Sequence, residues 1–337
     1  MIERRGAWTL LGAYTLLWFG VAWDGQWHVD VGPDTFYTAP HLMFYAGSAL
    51  LGFCSLAVVL LVTRRPEASA GTTVPVGPFR APIAFLVTGL GAAAHLLYGA
   101  TDLWWHEVYG FDILEETPSH FGLFLGMQLE IAGVVLAFLG LRGERSGRWG
   151  LAAAISLFVA SAAIGVDGEP LGIPLNVLGL GAGTAWVVGM VVGAGLSARW
   201  LAAIGAAYVV LLGLTFLFPP WATRVYADAI DLRMRDNAPG IPIAALALPL
   251  LFPLIALLLA AAVRTARRRR LTPRVAMLAV GALTALTVVA QTVLMSSPSI
   301  ATVLHLALTG AAGAGLCWVG WQNAALLRAA RPEVAVA

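Results

Sequence analysis

The chain has 337 residues, of which 59% are hydrophobic and only 11% are charged. Soluble domains carry charge on about a quarter of their residues, so this composition and a mean hydropathy of +0.83 exclude an ordinary soluble fold and make lipid the main solvent. The net charge is +2 and every basic residue is arginine, a balance that points to no nucleic-acid partner.

The apolar runs are long and rich in Leu, Ala, Val and Gly, without the alternation of barrel strands. Helices are then the spanning structure that satisfies every backbone group in hydrocarbon. About 20 apolar residues cross the core of a bilayer. Arg4 and Arg5 before an apolar run resemble a signal peptide. No small-residue cleavage site follows, however, so the segment is expected to be a mature first helix. In chain order, ten spans are expected near residues 7–27, 41–62, 81–103, 119–141, 149–166, 172–196, 200–219, 241–263, 274–295 and 299–326. The expected fold is thus an all-α polytopic transmembrane bundle.

The connections alternate between two sides. One side receives 17 of the 20 arginines, including the run Arg267 to Arg270; the other receives only Arg224, Arg233 and Arg235. The positive-inside rule places both termini in the cytoplasm of a bacterial-type plasma membrane. Most acidic residues fall outside, among them Asp24, Asp30, Asp102, Glu107, Asp228 and Asp231. Acidic residues barely influence topology, so their clustering has another cause: solvated loops or cation binding.

Residues 1–148 hold an internal repeat, and residues 149–337 add six further helices whose role the sequence does not give. Trp23 to Gly47 reads WDGQWHVDVGPDTFYTAPHLMFYAG, and Thr101 to Gly126 reads TDLWWHEVYGFDILEETPSHFGLFLG. Asp24 aligns with Asp102, His28 with His106, Gly32 with Gly110, Asp34 with Asp112 and Pro40 with Pro118. After one inserted residue, Ser119, His41 aligns with His120 and Gly47 with Gly126. Four of the six histidines sit in this register. Each copy reads as an outgoing helix end, a short loop and a returning helix, so two parallel helical hairpins are expected at the N-terminal end.

Asp24 and His28, like Asp102 and His106, are i and i+4 and share a helix face. Thr117 and Pro118 read as N-cap and first residue of the returning helix, with Thr38 and Pro40 a looser version. His41 and His120 then fall in its first turn, and a short hairpin brings that turn beside the Asp/His pair. One carboxylate and two imidazoles suit copper, non-haem iron or zinc, with coordination positions left open. Asp34 and Asp112 are placed to orient a ligating imidazole. A helix N-terminus repels a cation through its dipole, which the aspartates would have to offset. The alternative is a role in the interfacial belt, which Trp27, Trp104, Trp105 and Tyr109 fit.

The pattern D-x3-H-x12-H at Asp24, His28 and His41, followed by D-x3-H-x13-H at Asp102, His106 and His120, resembles the C subunit of copper-containing membrane monooxygenases, the particulate methane and ammonia monooxygenases. That subunit carries one metal site of Asp, His and His at the first spacing and one of Asn, His and His at the second. The resemblance covers roughly residues 14–141, and Asp102 stands where the family has Asn. It implies copper as the cofactor, oxidation of a small apolar substrate with O2, and other membrane monooxygenase-type subunits as partners.

Glu130 lies within the fourth expected span beside Gln128. An ionised group there costs about 2.5–3.5 kcal/mol or more, so it needs a partner. It sits ten residues past His120, about 15 Å deeper, and His95 is the partner expected by depth. A proton path running inward from the second site is one role for the two; a hydrogen-bonded helix contact is the other. His305 reads as a satisfied interior histidine, and Cys54 and Cys317 as small buried apolar residues. Residues 221–240 read as an outer connector or short interfacial helix. Three functions fit these features: a copper-dependent membrane oxidoreductase or its metal-carrying subunit, a membrane transporter or capture protein for copper or zinc, and a metal-free scaffold. Ligands at one depth disfavour transport.

Overall fold

A computed structural model describes residues 2–32, 35–69, 73–110, 117–164, 175–195, 197–238, 240–294 and 300–329. The described chain is all-α apart from one small hairpin. In order it forms α1 (Ile2–Asp30), α2 (Ala39–Arg64), β1 (Thr73–Val76), β2 (Phe79–Pro82), α3 (Ile83–Tyr109), α4 (Pro118–Gly140), α5 (Arg145–Ala162), α6 (Leu175–Gly193), α7 (Ala198–Ala229), α8 (Ile243–Ala247), α9 (Phe252–Arg268), α10 (Pro273–Leu294) and α11 (Ile300–Ala329). Among the described residues, seven helical stretches are long and apolar enough to cross a membrane. The protein is an integral membrane protein.

The chain divides into two compact units. The first contains Met1–Ser69, Thr73–Gly150 and Val209–Leu250, so it takes in the C-terminal part of α7 and α8 beside the first four helices. The second is drawn from Leu151–Tyr208 and the residues from Leu251 onward. In that unit α6, α10 and α11 pack together, with Thr184, Thr309 and His305 buried and the Nε2 of His305 without a hydrogen-bond partner. His305 is therefore interior, as the sequence implies, but not satisfied on both ring nitrogens.

In the first unit, α1 pairs with α2 and α3 with α4. Polarity runs inside out. Phe53 is 71% exposed and Leu97 63%, while Ser48, His95 and Glu130 are fully buried. Apolar outer faces of this extent need lipid as their solvent.

The two helix pairs cross at aligned glycines. A Cβ on Gly47 would lie 2.6 Å from Leu17 N and 2.8 Å from Ala13 O. One on Gly126 would lie 2.6 Å from His95 N and 2.9 Å from Gly91 O. Such backbone approach is how small residues tighten helix pairs in lipid, where burying apolar surface drives nothing.

Three details differ from the sequence expectation. The span expected at 241–263 is broken into α8 and α9, because Pro249 and Pro253 remove two amide donors around the junction. Residues 73–82 form a hairpin, turning at Gly77 with φ 56° as a two-residue loop requires. Trp27 is not a belt residue: it is buried at 1% exposure with its ring 5.0 Å from Tyr226, whereas Trp104 and Tyr109 are exposed.

The segment after α7 braces α1. Gln26 Nε2 donates to Asp30 Oδ2 at 2.7 Å and to Ile241 O at 2.9 Å, and Ile243 N donates to Gln26 Oε1 at 3.0 Å. Arg235 N donates to Asp30 O at 2.8 Å. Gln26 and Asp30 lie across the helix from Asp24 and His28, since two residues turn an α-helix by about 200°. This connector therefore holds the back of α1 in place.

Candidate metal centre

The last turns of α1 present Asp24 and His28 on one face, and α2 returns with His41 in its first turn. Asp24 Oδ1 is 3.0 Å from His41 Nε2, and Asp24 Oδ2 is 3.6 Å from His28 Nε2. The second copy repeats this between α3 and α4. Asp102 Oδ2 is 3.3 Å from His106 Nε2, and Asp102 Oδ1 is 3.5 Å from His120 Nε2. In each triad one donor atom from each residue lies within 4.8 Å of the other two. All six residues singled out from the sequence thus come together in the two groups expected.

The hydrogen bonds around the imidazoles fix which nitrogen faces the carboxylate. His41 Nδ1 is 3.1 Å from Thr35 O, and His106 Nδ1 is 3.2 Å from Gly110 O. A carbonyl only accepts, so each Nδ1 carries the proton. Nε2 then either bears a second proton, making an imidazolium, or points a lone pair at an aspartate oxygen. Two acceptors at 3.0 and 3.3 Å repel unless a cation sits between them. At His41 in one triad and His106 in the other, positive charge is therefore needed: a second proton on that ring, or a metal ion shared with the aspartate and the other histidine. Backbone carbonyls orienting a ligating imidazole are the usual support of metal sites. The residues of each triad could hold a metal ion.

The triads differ in how the aspartate is held. Asp24 Oδ1 is buried with His41 Nε2 3.0 Å away, and among the described residues no hydroxyl donates to it. Asp102 Oδ1 accepts from Ser119 Oγ at 2.7 Å, and Ser119 Oγ lies 2.9 Å from Thr117 Oγ1. Because the Ser119 proton goes to Asp102, the Thr117 hydroxyl donates to Ser119, while Thr117 Oγ1 caps α4 by accepting from His120 N. Thr38, by contrast, makes no side-chain cap on α2 and bonds back to Thr35. Sequence comparison reveals Ser119 as the inserted residue but not its bond to Asp102. Asp34 and Asp112 lie outside the described residues.

Both triads line one cavity of about 120 Å³. Asp24, His28, His41, Asp102, His106 and His120 share its wall with Val21, Phe36, Phe44, Tyr45, Leu103, Leu123 and Phe124. Among the described residues, none of 221–240, of which the first nine continue α7, lines it. The chamber thus has two clusters of polar donors and otherwise apolar, largely aromatic walls.

Below it, His95 and Glu130 meet as their depths imply: Nδ1 lies 3.1 Å from Oε2, with neither side chain exposed. Ser48 Oγ donates to Glu130 Oε1 at 2.5 Å. No family model, curated protein or solved structure matches the chain.

Proposed function

We propose that the protein is the metal-carrying component of a membrane oxidoreductase of the copper monooxygenase type, acting on a small apolar substrate with O2. The observation that supports this best is the shared chamber: two Asp-His-His triads opening on one apolar cavity of about 120 Å³. Bound copper would supply redox chemistry with open coordination positions. The chain's own residues hold the ions through Nε2 of the histidines and the aspartate oxygens. Thr35 O and Gly110 O keep His41 and His106 in the ligating tautomer. Phe36, Phe44, Leu123 and Phe124 exclude water and favour a substrate of a few heavy atoms.

Insertion of one oxygen atom of O2 into a C–H bond consumes two electrons and two protons and releases water. The electrons come from a donor outside this chain, which fits a subunit working with membrane partners. The arginine asymmetry supports ten spans with cytoplasmic termini and the chamber near the outer face. Transport fits less well. Below the chamber the described residues offer His95 and Glu130, already bonded to each other.

Oxygen uptake by copper-loaded membranes containing the co-encoded membrane proteins tests this proposal, with a small alkane as substrate. Alkane-dependent uptake, abolished by Asp24→Ala or Asp102→Ala, is the expected result. An impermeant chelator outside intact cells should also abolish it. Bound metal without uptake, together with metal flux into sealed vesicles, would instead identify a transporter.

A further inference from the structure

The buried pair below the chamber is not demanded by the fold. Extending the repeat register downward aligns His95 with Leu17 and Glu130 with Leu51, and Gly91 with Ala13. Gly126 approaches His95 N as Gly47 approaches Leu17 N, so the two hairpins cross at the same place. Leu17 and Leu51 are fully buried. The same crossing is therefore built once with two leucines and once with an imidazole and a carboxylate. At this depth the polar version is the costly one, and it occurs only in the copy that ends in Asp102, His106 and His120.

The hydrogen bonds define its proton content. Glu130 is bonded by His95 Nδ1 and the Ser48 hydroxyl, and its backbone carbonyl accepts from Thr88 Oγ1 at 3.5 Å. The other groups with titratable character nearby are Tyr45, whose ring is 6.1 Å from that of His95, and Tyr14, which donates to Met127 O at 3.4 Å. Among the described residues no arginine reaches the pair, and Glu130 is ion-paired with His95 alone. One proton shared between Nδ1 and Oε2, with no other on the pair, would leave a net negative charge in hydrocarbon. Charge neutrality needs a second proton, which sits on Nε2 or on Oε1, where it would bond the Ser48 hydroxyl. His95 Nε2 is buried with no hydrogen-bond partner. Charge balance, rather than an acceptor at Nε2, is thus what holds two protons on the pair. The imidazole packs against Phe44 and Tyr45, at 6.0 and 6.1 Å between ring centroids, and both rings line the chamber.

We propose that His95 and Glu130 form a charge-compensating proton site, which gives up one proton when a divalent cation fills the chamber and recovers it when the cation leaves. The proposal rests on the metal-binding reading of the triads. The step balances: the neutral pair loses one H⁺ through the chamber and becomes a monoanion, and the cation above it supplies the compensating charge. During turnover the same site would deliver that proton to the chamber.

Zn²⁺, which has no redox chemistry, is the probe. Purified full-length protein is titrated with Zn²⁺ across a range of pH, recording bound zinc and protons released per ion. The comparison is with His95→Leu/Glu130→Leu, which copies the leucines of the first hairpin and leaves Ser48 free to bond its own helix carbonyls. Glu130→Gln is the second variant. Wild type should release about one proton more per chain than either variant at equal bound zinc, and its zinc affinity should climb more steeply with pH. Equal release from all three, with zinc bound, overturns the proposal alone. Failure of wild type to bind zinc refutes the metal reading and takes the proposal with it.

Discussion

Ser119 and Asp102 show how one residue can separate two otherwise similar sites. In the second triad the Ser119 hydroxyl, itself supported by Thr117, fixes the Asp102 carboxylate through a 2.7 Å hydrogen bond. In the first, Asp24 Oδ1 is buried without such a donor. Supporting bonds of this kind are worth about 10–100-fold in metal affinity. Ser119→Ala should therefore weaken zinc at the second triad by about 10-fold while leaving the first unchanged. A zinc titration in a His28→Ala background, which leaves the second triad alone, reads that shift directly. The six donor residues were legible because i, i+4 spacing on a helix is unambiguous and the repeat marks it twice. The carbonyls of Thr35 and Gly110 were not, because backbone acceptors leave no trace in residue identity.

At the scale of elements, the hairpins owe their geometry to close helix crossings. A Cβ on Gly126 would press on the backbone of α3 at His95, whereas one on Gly12 would meet nothing within 4 Å. Overpacking of this kind costs about 1–3 kcal/mol. Gly126→Ala should lower the thermal unfolding temperature of the purified protein, and Gly12→Ala should leave it near wild type. Hydropathy placed most helices to within a few residues, since a run of apolar residues in lipid has no alternative to the helix. It joined α8 to α9, because Pro249 and Pro253 interrupt the helix without interrupting the apolar run. It overlooked the hairpin at 73–82 for the opposite reason: eight paired residues around Gly77 carry too short a pattern to register.

At the scale of the molecule, two copies of one motif converge on one chamber. Neither spacing nor hydropathy implies this convergence; it depends on how α1–α2 and α3–α4 pack against each other inside the first unit. The compact unit that holds the chamber also takes in Val209–Leu250, far along the chain, and Gln26 shows why. Its side chain ties the connector before α8 to the back of the helix that carries Asp24 and His28. Long-range ties of this sort are invisible to periodicity. On the proposed function, each triad holds one ion independently of the other. Metal analysis of the purified wild type, His28→Ala, His106→Ala and the double variant tests it most directly: the two single variants should each lose one ion relative to wild type and the double variant both, while equal metal content in all four proteins would contradict it.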